Sequence, residues 1–167
     1  PTDFALSPDG RQIIFVAAGD GAPRLWRRSL GTTTAQPLAG TEGASYPFWS
    51  PDSRWIGYFT SGEGASLMKV PVGDGASVKL CDVQWSRGGA WGTHGDILFV
   101  PTPASPVQRI SENGGAVTAA TALDTTRLDA AQQSIARLDD FALVVGRDFR
   151  KVLRFAHHQL GDTAGVG

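Results

Sequence analysis

Ser7-Pro8-Asp9-Gly10-Arg11 returns as Ser50-Pro51-Asp52-Ser53-Arg54, an offset of 43 residues, and the large apolar residue before the serine is matched too, Leu6 with Trp49. A worn third copy runs Trp91-Gly92-Thr93-His94-Gly95-Asp96, with Trp91 lying 42 residues after Trp49. A period of this size is one supersecondary unit that cannot bury its apolar face alone and must stack on its neighbours. The motif has a turn's chemistry. Proline presets φ at the second position, aspartate accepts from local backbone N–H groups, and glycine takes the left-handed corner.

Each turn is followed by an apolar run, Gln12 to Ala17, Trp55 to Thr60 and Ile97 to Val100, which predicts a buried strand. Gly19-Asp20-Gly21-Ala22 and Gly62-Glu63-Gly64-Ala65 then predict hairpin turns, replaced in the third unit by Thr102-Pro103-Ala104-Ser105-Pro106. Mixed basic and apolar strands follow at Arg24 to Leu30, Leu67 to Val72 and Val107 to Ile110. Short outer strands are expected at Gln36-Pro37-Leu38, Val78-Lys79-Leu80 and Val117-Thr118. Four strands per unit is the blade of a β-propeller. The fold class is therefore all-β, with three blades at about 1–43, 44–86 and 87–123, then an irregular tail over 124–167. Trp49 and Trp91, with Phe48, are expected to fill the wedges between blades, and Arg11 or Arg54 to bridge to a neighbouring blade.

Composition narrows the function classes. The 167 residues include 21 Gly and 10 Pro, with 5 Trp and 8 Phe, which suits short strands and tight turns better than long helices. No stretch approaches the roughly eighteen consecutive apolar residues of a spanning helix. A net charge of -1 supplies no field for nucleic acid or an anionic membrane. Cys81 is the single cysteine, so an internal disulfide and a thiolate zinc cluster are both excluded, and the compartment stays open. The chain starts at Pro1 and its one methionine, Met68, sits inside a strand, which is expected of a piece of a longer protein.

The stretches Phe4 to Ala17, Phe48 to Thr60 and Trp91 to Val100 resemble the Pro-Asp repeats of TolB-like, WD-repeat-like β-propellers. This class is also similar to the propellers of dipeptidyl peptidases and tricorn protease. Trp49-Ser50-Pro51-Asp52-Ser53-Arg54-Trp55-Ile56-Gly57-Tyr58-Phe59 followed by Leu67-Met68-Lys69-Val70-Pro71-Val72 most resembles propeller segments attached to bacterial serine/threonine kinases and to some winged-helix regulators. The resemblance implies a sensing or protein-binding appendage and brings no catalytic residue. It is compatible with the periplasmic or extracytoplasmic side of a bacterial membrane. Since propellers generally have four to eight blades, further blades of the same chain are expected as partners of these three.

A fourth unit would place its aromatic near residue 133, where Gln133-Ser134-Ile135-Ala136-Arg137 carries no turn motif. Leu128, Ala131, Ile135 and Leu138 suit one face of a short helix, and Phe141 to Val145 a strand. The abrupt loss of register suggests that 124–167 is not propeller sequence.

Candidate chemistry weighs against an enzyme within this segment. Gly43, Gly64 and Gly75 each open a Gly-Ala-Ser triplet, none of which completes the Gly-x-Ser-x-Gly elbow of a serine hydrolase. His94, with Asp96 nearby, lacks a partner nucleophile. His157-His158 has no acidic or cysteine partner at metal-ligand spacing, and Gly88-Gly89-Ala90-Trp91-Gly92 lacks the glycine order of a phosphate loop. Arg24, Arg27 and Arg28 beside Trp26 suit a solvated blade face better than nucleic acid. No catalytic, cofactor or metal residue is assigned. The residues singled out, Ser7, Pro8, Asp9, Gly10, Arg11, Trp49, Ser50, Pro51, Asp52, Arg54, Trp91, Gly95 and Asp96, are structural. The function expected is a non-catalytic scaffold that binds protein, peptide or ligand through its blade loops or central channel, within a larger bacterial protein such as a serine/threonine kinase. The alternatives are the propeller of a prolyl oligopeptidase-type serine peptidase and a TolB-like periplasmic interaction protein.

Overall fold

The computed structural model describes residues 3–19, 21–84, 88–102 and 105–122, which form three four-stranded antiparallel sheets. The first blade is β1 (Phe4–Leu6), β2 (Gln12–Ala17), β3 (Arg24–Ser29) and β4 (Gln36–Pro37). The second is β5 (Ala44–Trp49), β6 (Trp55–Thr60), β7 (Ser66–Pro71) and β8 (Val78–Asp82). The third is β9 (Gly89–Trp91), β10 (Asp96–Phe99), β11 (Gln108–Ser111) and β12 (Thr118–Ala119). In every blade the strands lie in chain order, because connections of four to eight residues are too short for a crossover and join antiparallel neighbours. The inner strands β1, β5 and β9 stand side by side. The expected helix and strand beyond residue 122, and the histidine pair near the end, lie outside the described residues.

Side-chain alternation explains why the middle blade is buried on both sides. Trp49, Ile56, Tyr58 and Val70 point to the first blade and pack with Ala5, Ile14, Val16, Leu25 and Leu38. Phe48, Phe59 and Leu67 point the other way and pack with Trp91, Ile97, Phe99 and Ile110 of the third. One sheet thus serves two cores, and its inner strands β5 and β6 read as nearly continuous apolar runs because both of their faces are largely buried.

Volume is traded between cross-strand neighbours. The register pairs Ala5 with Ile14 and Ala90 with Leu98, small inner-strand residues beside large central ones. In the middle blade the same pair is Phe48 with Gly57. A Cβ built on Gly57 would fall 2.2 Å from Phe48 Cζ, and one on Gly89 would fall 2.8 Å from Phe48 Cε1. The Phe48 ring therefore lies between two glycine backbones of different blades, where no larger residue fits. It also meets Phe59 at 6.0 Å and Trp91 at 6.3 Å between ring centroids.

Strand β5 carries a bulge between Ser45 and Phe48, where Tyr46 adopts φ +49°. Bulges locally bend a strand and re-aim its side chains. The Tyr46 N–H donates to Asp3 Oδ2 at 3.3 Å, so the start of the first blade holds the bulge of the second. The connection between these blades is secured by Thr41, fully buried, whose hydroxyl donates to Leu38 O at 2.6 Å and accepts the Leu25 N–H at 3.1 Å.

Candidate functional site

The repeated turns are closed hydrogen-bond units. Ser7 Oγ donates to Asp9 Oδ1 at 2.5 Å and accepts the Gln12 N–H at 2.9 Å, while Asp9 Oδ1 accepts the Arg11 N–H at 3.0 Å. Ser50, Asp52, Trp55 and Arg54 repeat this at 2.6, 2.8 and 3.1 Å. Gly10 takes the left-handed corner at φ +70°, as does Gly95 at +79°. In the second copy Ser53 occupies the corner at φ +60°, a conformation unusual for a residue with a Cβ. Its hydroxyl is used, accepting the Asp9 N–H at 3.2 Å and tying adjacent turns together. Pro8 and Pro51 stand at the second turn positions, where their missing N–H leaves no unmet donor.

The third copy departs from the pattern. Gly92 N–H closes on Asp96 O at 2.8 Å, one residue sooner than Ser7 on Gln12 and Ser50 on Trp55. Asp96 therefore opens the central strand, in the place of Gln12 and Trp55, and its carboxylate faces Arg109 at 3.6 Å. It is not the turn-capping aspartate of the motif. His94 stands in that place, exposed, with Thr93 Oγ1 3.4 Å from its Nδ1.

The tryptophans are wedge residues with different anchors. Trp49 is 6% exposed and donates Nε1–H to Ala5 O of the first blade at 3.1 Å. Trp91 is 2% exposed and donates to Glu112 Oε2 of its own blade at 2.9 Å. Two expectations about arginine are corrected. Arg11 and Arg54 are exposed and, among the described residues, neither side chain bonds to a neighbouring blade. They end the turns and point to solvent. The bridging cation is Arg27, which was read as solvent-facing. One arm donates to Val72 O of the second blade and the other to Gln36 Oε1 at 3.1 Å. Arg27 shares the face of Ile14, its register partner, and that face is turned toward the second blade. A longer period-2 reading of β3 could have revealed this.

The polar side chains at the turns are engaged with backbone, and burial, aided by Asp82, pushes the Cys81 thiol up, away from a reactive thiolate. Tyr58 hydroxyl, raised by burial, donates within a structural cluster with Ser77 Oγ at 2.8 Å and Gly40 O at 3.3 Å. Among the described residues no three His, Cys, Asp or Glu side chains are grouped to hold a metal. A polar groove of about 440 Å³ runs beside Arg27, lined by Gln12, Ser29, Thr32, Thr34 and Gln36. No helix among the described residues is long and apolar enough to cross a membrane.

Two predictions follow from this geometry. His94→Ala should change stability by no more than about 0.5 kcal/mol, since an exposed loop side chain is removed, and denaturant unfolding will measure it. The Asp9 carboxyl is held below the ordinary carboxylate range, first by the Ser7 hydroxyl and then by the Arg11 backbone N–H. A depressed folded-state pKa contributes stability above the ordinary value and loses it as pH falls through the folded one. Ser7→Ala should therefore raise the Asp9 pKa in a carbon-13 NMR titration and move the acid loss of stability to higher pH. An unchanged titration would show that the hydroxyl is not the cause.

The described residues form a β-propeller segment of three blades. A TolB-type structure from Agrobacterium tumefaciens is similar to it at 22% identity with a TM-score of 0.58, covering 68% of this chain and 46% of that one. A puromycin hydrolase variant is similar at 22% identity with a TM-score of 0.55, covering 71% of this chain and 21% of that one. A protein described as a probable dipeptidyl-peptidase 5 from Aspergillus terreus is 32% identical over 35% of this chain and 10% of its own length. The chain thus spans a tenth of that relative and less than half of each of these two solved chains. No family model matches the chain.

Proposed function

We propose that this segment is a non-catalytic scaffold within a larger bacterial protein of the receptor-like serine/threonine kinase kind. It holds a protein or peptide through the loops at one end of its blades. The observation that supports this reading is the division of labour between turns and loops. The Ser-Pro-Asp turns spend their polar groups internally. The β2–β3 and β6–β7 loops share a Gly-acid-Gly-Ala turn, at Gly19 to Ala22 and Gly62 to Ala65, whereas the β10–β11 loop departs from it with Thr102-Pro103-Ala104-Ser105-Pro106. Rigid strands with variable loops are how a propeller carries binding chemistry. The extracytoplasmic side of a bacterial membrane is the compartment this reading favours.

A second reading, the propeller of a prolyl oligopeptidase-type peptidase, is favoured by the similarity to the dipeptidyl-peptidase relative. There the ring would gate a separate hydrolase domain. Sequencing the gene on both sides of this segment separates the two. Kinase signatures upstream with more Pro-Asp repeats support the scaffold, and a Gly-x-Ser-x-Gly elbow downstream moves the assignment to the peptidase. For the segment itself, a fluorophosphonate probe should label no serine, and a labelled serine would overturn the non-catalytic assignment.

A further inference from the structure

One strand position carries a cation in each blade. The register sets Arg27 opposite Ile14, Lys69 opposite Gly57 and Arg109 opposite Leu98, equivalent places on β3, β7 and β11. The central-strand residue two positions earlier lies on the same face, diagonal to the cation, and it differs from blade to blade: Gln12, Trp55 and Asp96. In the second blade Lys69 Nζ stands 4.7 Å from the centroid of the Trp55 ring. In the third, Arg109 Nη1 lies 3.6 Å from Asp96 Oδ2. These two cations have a π face or a carboxylate in their own blade. Arg27 has neither. Its Nη1 donates to Val72 O and its Nη2 to Gln36 Oε1, both neutral, and among the described residues no carboxylate pairs with it. A guanidinium has five N–H donors, so most of them are left without a partner there.

We propose that the groove beside Arg27 binds a small hydrophilic carboxylic acid, whose carboxylate takes beside Arg27 the part that Asp96 plays beside Arg109. Gln12, on the Asp96 diagonal, lines this groove of about 440 Å³, a volume within the range of small-molecule sites. The carboxylate matches the guanidinium fork in shape and charge. The body of the acid meets hydroxyls and carboxamides. Ser29 and Thr34 hydroxyls have no hydrogen-bond partner among the described residues, and Thr32, which donates to Ser29 O at 3.2 Å, keeps its lone pairs for the groove. A hydroxylated acid suits this lining, and an apolar one does not. Asp74 borders only the adjoining recess of about 180 Å³ and is not paired with Arg27, so the anion is taken on the Gln12 side. Gln12 and Ser29 pair at the Ser-Pro-Asp end of the first blade, the opposite end of the strands from the β2–β3 loop. The site is therefore separate from the loops assigned above to a protein partner.

Titrating the full chain with tartrate, a hydroxylated dicarboxylate, against sodium chloride at equal ionic strength tests this by nitrogen-15 NMR. The Arg27 Nε–H and the Ser29, Thr32 and Thr34 amides should shift saturably with tartrate and not with chloride. Arg27→Gln should weaken binding about tenfold or more, as loss of a hydrogen bond to a charged group does. That substitution also cuts the tie to Val72, so Gln12→Glu is the second variant. It keeps Arg27 and the tie, places a carboxylate on the Asp96 diagonal, and should abolish the tartrate shifts. Shifts that are absent, that chloride reproduces, or that persist undiminished in the Gln12→Glu chain overturn the proposal. Tighter binding of N-acetylglutamate N-methylamide than of tartrate would assign the carboxylate to an acidic side chain of a protein partner and equally overturn it.

Discussion

Trp49→Ala is expected to destabilise the protein by about 3–5 kcal/mol, the range for truncating a buried large aromatic. The side chain fills the wedge between the first and second blades, and its indole N–H spans that seam to Ala5 O. Truncation leaves a cavity between two preformed sheets, which cannot collapse onto it without shifting a whole blade. Trp49→Phe keeps most of the ring and loses the hydrogen bond, so its cost should be nearer 1 kcal/mol. Denaturant melts of both variants check this. Two variants of equal stability would reduce the wedge to a single hydrogen bond, and an alanine variant that melted like the parent would remove it altogether.

Gly57→Ala is expected to cost about 1–3 kcal/mol, as overpacking does in a filled core. In most strand positions this change would help, since alanine loses less backbone entropy than glycine by about 0.5–1 kcal/mol. Here the added methyl meets the ring of Phe48, which is held on its other flank by Gly89 and so has nowhere to move. The sign should therefore reverse in a Phe48→Ala background, where the same substitution becomes neutral or stabilising. A double-mutant cycle measures the coupling. A cost that persisted without the ring would place the strain in the backbone of β6 instead.

Both residues show how far the sequence could be read. Trp49 was legible because it precedes a motif that recurs, and the recurrence itself implies a stack with aromatics at the seams. Gly57 was not, because its neighbour across the strand, Phe48, is nine residues away and the exchange of volumes appears only when Ala5–Ile14 and Ala90–Leu98 are laid beside Phe48–Gly57. Asp96 was misplaced for a related reason. The third turn closes one residue early, and a worn motif gives no sign of a shortened backbone return. Arg27 failed for want of direction, since a charge on a strand looks solvated until the partner blade is in place and presents the Val72 carbonyl.

By itself the sequence determined the period, the four strands of each unit, the chemistry of the Ser-Pro-Asp turns and the all-β class. These are local properties, set by φ preferences and by alternation within a few residues. The tertiary structure decided which face of each blade meets which neighbour, that Ser53 would take a left-handed corner to reach Asp9, and that arginine 27 rather than 11 or 54 would cross a seam. Those outcomes depend on contacts between residues some 43 positions apart, and their energies exist only once the blades are stacked.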